Sequence, residues 1–188
     1  MYHPLFTNIA GKRILDLGFG NGKAALYFAQ KNKVIAIEKN PRLVLRLQKH
    51  NNANISVIQE DIGHYCSKIQ KEEEKFDLIM ARNILPFLQN KKIIEGILHQ
   101  VQNALKPGGY VFLTFFGRKD EWFGERENIV FFSKKEIEEM LAPTASQNSN
   151  EILEKIYEAE ERGVKPTMHN TLKYWHIYNI ILQRPFLR

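Results

Sequence analysis

The sequence predicts an α/β fold, a doubly wound and mostly parallel sheet, and three observations carry that prediction. Short apolar runs alternate with amphipathic stretches from residue 13 onward, the rhythm of strands each followed by a helix that returns over the sheet. The first run opens directly into Gly18, Gly20 and Gly22 and then an amphipathic stretch, a strand-loop-helix entry. Helix start and stop residues fall between the runs. With right-handed crossovers, helices cover both faces of the sheet.

The elements follow in order. RILDL (13–17) reads as the first strand and KAALYFAQ (23–30) as its helix. KVIAIE (33–38) precedes PRLVLRLQKH (41–50), where Asn40 caps the helix and Pro41 takes its first position, a site where the missing N–H is no loss. NISVIQED (54–61) precedes IGHYCSKIQ (62–70), and the mixed-charge KEEEK (71–75) connects it to FDLIMA (76–81). A helix from about 90 to 105 ends at Lys106-Pro107-Gly108-Gly109, which turns the chain into a fifth strand, GYVFLTFF. APTASQNSN (142–150) reads as a polar loop. EILEKIYEAEER (151–162) fits helix and strand equally by periodicity. KYWHIYNIILQ (173–183), aromatic and β-branched, fits a strand. Two strands there would form an antiparallel pair around GVKPTMHNT.

Composition bounds the function. With 188 residues, 44% hydrophobic and 26% charged, the chain reads as one globular domain over 1–188. Cys66 is the sole cysteine, which excludes an internal disulfide and suits a reducing, cytoplasmic setting. The N-terminus lacks signal-peptide features. The longest apolar stretch, YVFLTFF (110–116), is far short of the roughly 20 residues that span a membrane. A net charge of +6 admits nucleic acid as a partner. The charges are scattered, however, and Arg42, Arg46 and Lys49 share one solvent face opposite Leu43, Val44 and Leu47.

The glycine loop raises the question of its ligand. Gly18 and Gly20 could begin a dinucleotide fingerprint, but its third glycine position falls on Lys23. Asp16, beside the loop, would repel a pyrophosphate and attract an ammonium group. Glu38 ends the second strand twenty positions beyond Gly18, where an acid accepts hydrogen bonds from ribose hydroxyls. Asp61 closes the third strand, placed to accept an adenine amino group beside apolar Ile62. Three acids at successive strand ends make a stronger case than any one of them.

On these residues the chain resembles the class I S-adenosylmethionine-dependent methyltransferases: DLGFGNG is similar to their D-x-G-x-G-x-G signature, and Glu38, QEDI, FDLIMARNILPFL and LKPGGYVFLTFF stand where later motifs fall. The resemblance covers residues 12–116. It implies that Asp16 and the loop Gly18-Phe19-Gly20-Asn21-Gly22 hold the methionine part of S-adenosylmethionine, Glu38 with neighbouring Lys39 the ribose, Asp61 and Ile62 the adenine, and that Ala81 and Arg82 line the cofactor. It also implies a seven-stranded Rossmann-like sheet with an antiparallel C-terminal pair, which makes EILEKIYEAEER a strand. TFFGRKDEW, FFSKKEIEEML and LKYWHIYNIILQR more locally resemble the tellurite-resistance methyltransferase group, implying a small acceptor, anionic or a soft nucleophile.

Candidates for handling that acceptor are Arg82, Asn83, Arg118 and His176, with a structural role for His176 the commoner outcome. The Asn-Pro-Pro-aromatic tetrapeptide of amino-methylating enzymes is absent, because Ile84-Leu85 separates Asn83 from Pro86. About a dozen residues precede the first strand, so the expected pocket is open or closed by a partner, with 117–128 and 142–150 as lid candidates. Rival readings keep the same cofactor loop for an RNA or protein acceptor or for binding without catalysis; NAD chemistry is disfavoured by Lys23.

Overall fold

A computed structural model describes residues 3–69, 74–143 and 152–186. The parts of the 71–75 connector and of the 142–150 loop at 71–73 and 144–150 lie outside the described residues. β1 (Arg13–Leu17), β2 (Lys33–Glu38), β3 (Ile55–Gln59), β4 (Phe76–Ala81) and β5 (Leu105–Gly117) are joined through α1 (Lys23–Phe28), α2 (Pro41–Gln48), α3 (Ile62–Lys68) and α4 (Lys91–Asn103). β6 (Phe131–Phe132), α5 (Lys134–Leu141), β7 (Glu154–Pro166) and β8 (Leu172–Gln183) complete the described chain.

The sheet order is β3-β2-β1-β4-β5-β8-β7, with β6 paired to β5. β1 to β6 pair in parallel, while β8 runs antiparallel to both β5 and β7. The expected seven strands are present, and the two-residue β6 is an eighth among the described residues. EILEKIYEAEER is strand from Glu154 onward.

Alternation along the buried strands sends side chains to two cores, as a sheet covered on both sides requires. Leu15, Leu17, Ile37 and Leu113 pack with Tyr65, Cys66, Ile94, Val101 and Ile137 from α3, α4 and α5. Ile14, Ala36, Met80 and Phe112 pack with Ala25, Phe28, Val44 and Leu47 from α1 and α2. Burial pushes the Cys66 thiol up to about 12, which keeps it an inert thiol in the core. No helix among the described residues is long and apolar enough to cross a membrane.

Local signals behave as the sequence suggests at the helix starts. Asn40 accepts the Arg42 amide at 3.0 Å with Pro41 at the first position. One boundary is corrected: β5 begins at Leu105, so Lys106-Pro107-Gly108-Gly109 is a bulge within the strand. Leu105 already pairs with Phe76, and the regular register resumes only at Tyr110 opposite Leu78. Gly108 takes a φ of 74° in that bulge, a conformation open to glycine.

Candidate active site at the carboxyl edge

The parallel strands present their carboxyl ends along one edge, and the strand order reverses between β1 and β4, the place where open α/β sheets bind ligands. Asp16, one residue before the end of β1, is buried, and its Oδ2 has no hydrogen-bond partner among the described residues. Burial raises its pKa to about 7, against the opposing pull of the Arg82 guanidinium and the Ala25 amide. An unpaired buried carboxylate is costly, and a cationic hydrogen-bond donor placed against it would relieve that cost.

The loop after β1 keeps the backbone bare where it passes this acid. Gly18, Gly20 and Gly22 have φ of 67°, 55° and 76°. A Cβ on Gly18 would stand 2.4 Å from Ile84, and one on Gly20 would stand 3.7 Å from the Met168 sulfur. Gly18 is therefore packed directly against Ile84, and Gly20 lies beside Met168. Glu38 ties the loop to β2, accepting the Gly20 amide at 3.2 Å through Oε2 and the Asn40 amide at 3.0 Å through Oε1. Each oxygen keeps a further lone pair for a hydroxyl donor.

Asp61 caps α3 through the Gly63 amide at 2.9 Å, and its other oxygen lies 3.9 Å from the exposed Lys39 ammonium. Ile62 beside it is buried. Ala81 ends β4, and the Arg82 guanidinium carbon lies 5.1 Å from the Phe112 ring centre. Asn83 follows, exposed, with a φ of 54° that non-glycine residues seldom adopt.

Two candidates are committed elsewhere. Arg118 donates to both Glu136 oxygens at 2.9 Å. Glu136 also takes Lys91 and the Ser133 capping amide, and these contacts, Lys91 first, hold its pKa down at about 2. Arg118 and Lys91 thus share one carboxylate. His176 is buried, its Nδ1 accepting the Lys119 amide at 2.9 Å and its Nε2 lying 2.8 Å from Glu160. These contacts fix the neutral tautomer with Nε2–H donating to Glu160. His176 thus joins β8, β7 and the turn after β5. A Cβ on Gly117 would lie 2.2 Å from its Nδ1, so Gly117→Ala is expected to cost about 1–3 kcal/mol by displacing this ring, read as a lower urea midpoint.

The site also contains groups that the sequence reading missed. β8 pairs with β5 only as far as Ile177 opposite Phe116, yet its pairing with β7 continues to Leu172 opposite Pro166. The extended hairpin passes over the ends of β5 and β4, and its tip brings Met168 beside Gly20. It is braced by a buried Lys173–Asp120 ion pair, with Lys173 Nζ 4.1 Å from the ring centres of both Trp122 and Trp175. This hairpin, rather than an N-terminal segment, reaches the glycine turn. The N-terminal turn Pro4–Phe6 instead packs Phe6 against Tyr110 and Phe112 on the α1/α2 face. The sequence signal available was the length of β7 and β8, 13 and 12 residues against 5 for β1.

Comparison with known proteins agrees with this architecture. A family model described as a methyltransferase domain matches residues 14–109. Malonyl-[acyl-carrier protein] O-methyltransferase 2 of Ilyobacter polytropus is 30% identical over 128 residues, 64% of this chain and 44% of that protein. The chain thus spans less than half the length of that relative. Among solved structures, TehB from Haemophilus influenzae superposes with a TM-score of 0.70 at 19% identity, over 94% of this chain and 58% of the other. The N-methyltransferase NodS from Bradyrhizobium japonicum, in complex with S-adenosylhomocysteine, gives 0.68 at 17% identity, over 94% and 79%.

Proposed function

The chain belongs to the methyltransferase domain family, and from that membership we propose that it is a cytoplasmic enzyme moving a methyl group from S-adenosylmethionine to a small acceptor. The observation that carries the reading is the buried Asp16 carboxylate with an unpartnered oxygen, beside a turn whose three glycines take positive φ. Such a pair suits the amino-acid end of the methyl donor, whose ammonium group would give Asp16 its missing partner.

When bound, the donor supplies a methyl group on a positively charged sulfur, open to in-line displacement. The chain's own residues then hold and orient. Asp16 would accept from the ammonium, with the backbone of Gly18-Phe19-Gly20-Asn21-Gly22 passing alongside. Glu38, fixed by the Gly20 and Asn40 amides, would accept from the ribose hydroxyls, with Lys39 at the rim. The Asp61 oxygen not used in capping would accept from the adenine amino group over Ile62, and Ala81 and Arg82 would line the methionine side. Ile84 and Met168, one on each side of the loop, would exclude water from the sulfur.

The acceptor expected from the sequence is a small anion or soft nucleophile. Asn83 is the expected candidate that stays exposed at the carboxyl edge. Transfer of labelled methyl from S-adenosylmethionine into metabolite, RNA and protein fractions tests the assignment. Label in the metabolite fraction supports it; label only in RNA or protein moves the acceptor class, and no label in any fraction refutes it. Glu38→Gln is expected to weaken both S-adenosylhomocysteine and 5′-methylthioadenosine by about tenfold, the loss of a charged acceptor for the ribose, as isothermal calorimetry would show.

A further inference from the structure

The acceptor must approach the methyl group across the ends of β4 and β5, and the wall on that side is aromatic. The turn Leu85–Phe87 follows β4 directly and leaves Phe87 41% exposed. Its ring stands edge-on to Phe116 at 5.7 Å and to Trp122 at 6.4 Å. Behind it, Trp122 and Trp175 lie 5.6 Å apart. Lys173 and Arg126 both lie over the Trp122 ring, at 4.1 and 4.6 Å. Trp122 is therefore a fixed backing, and Phe87 is the free aromatic surface. Val130 donates to the Pro86 carbonyl at 2.7 Å, which secures the turn that carries Phe87.

Asn83 stands four residues before Phe87 in the same loop, beside Ile84, which packs on Gly18. The Asn83 amide is a neutral donor and acceptor, suited to a ring substituent. Stacking surface together with a neutral hydrogen-bonding group selects for shape and aromaticity rather than charge.

Building on the methyl-donor reading above, we propose that Phe87, backed by Phe116 and Trp122 and flanked by Asn83, forms the acceptor subsite, and that the acceptor is a planar aromatic compound with its nucleophilic hydroxyl, thiol or amine on the ring. The substituent's lone pair forms the new bond to the methyl carbon as the carbon–sulfur bond breaks. That bond's electron pair returns to sulfur, and the substituent's proton leaves to water.

The test uses the full chain loaded with S-adenosylhomocysteine and four probes: 2-naphthol, 2-naphthoate and their ring-saturated counterparts, with binding followed by calorimetry. Both aromatic probes are expected to bind at least about fivefold more tightly than the saturated pair, the scale of a specific ring–ring contact. Phe87→Ala is expected to abolish that preference with S-adenosylhomocysteine affinity unchanged, and Phe87→Trp to keep it. Equal binding of saturated probes, a preference that follows the carboxylate instead of the ring, or a preference that survives in Phe87→Ala overturns the proposal. If S-adenosylhomocysteine itself does not bind, the methyl-donor reading fails and the subsite assignment falls with it. Donor binding with no ring preference overturns the subsite alone.

Discussion

Asp16→Asn is expected to weaken S-adenosylmethionine binding by tenfold or more at neutral pH while making the ligand-free protein more stable. The two effects have one origin. The native carboxylate is desolvated and half-satisfied, with a pKa of about 7 in place of 3.8. For a carboxyl whose folded pKa is raised, the stability contribution is fully present below the unfolded value and is lost as pH rises from about 4 to 7. The loss approaches about 4 kcal/mol at roughly 1.4 kcal/mol per unit. The neutral amide removes that slope, so the variant's gain in urea midpoint is largest above pH 7 and vanishes near pH 4. Donor binding runs the other way: it needs the ionised form, so affinity falls by up to about tenfold per unit below pH 7 as binding has to release the proton. That pH dependence should be absent in Asp16→Asn.

The second large effect concerns the brace of the hairpin. Asp120→Asn is expected to cost about 3–5 kcal/mol, because it leaves the Lys173 charge buried without its partner. In a domain of this size that lowers the melting temperature by about 6–20 °C. Lys173→Met should cost much less. Asp120 would keep the Trp122 amide at 3.1 Å and the His176 amide at 3.2 Å, and the thioether would fill the space between the two indoles. Desolvation already pulls the Lys173 pKa down against Asp120. In Asp120→Asn the lysine can shed its proton more readily, so the deficit should shrink as pH rises. Melting curves of both variants at neutral and alkaline pH check the order and the sign.

The part of the molecule legible in the sequence is the part built from local signals. Strand runs, the Asn40-Pro41 helix start and the glycine turn each depend on a few adjacent residues, and the acids at three strand ends follow once the strands are placed. The tail was ambiguous because EILEKIYEAEER has both periods; its pairing with β8, a long-range contact, makes it a strand. Arg118 and His176 stood at plausible positions, but their partners, Glu136 and Glu160, lie on other elements, and no spacing rule discloses such pairs. The same holds for Asp120 with Lys173, 53 positions apart, and for Met168 against Gly20. Of the two lid candidates, 117–128 braces the β7–β8 hairpin, whose tip reaches the glycine turn, and 144–150 lies outside the described residues.

The turn after β1 is proposed to grip a sulfonium nucleoside by its amino-acid end through Asp16. Paired calorimetry of S-adenosylhomocysteine and 5′-methylthioadenosine, which lacks that end, on native protein and Asp16→Asn tests it most directly. The variant is expected to lose about tenfold or more for S-adenosylhomocysteine and nothing for 5′-methylthioadenosine. Equal losses for both nucleosides, or none for either in a folded variant, would contradict it.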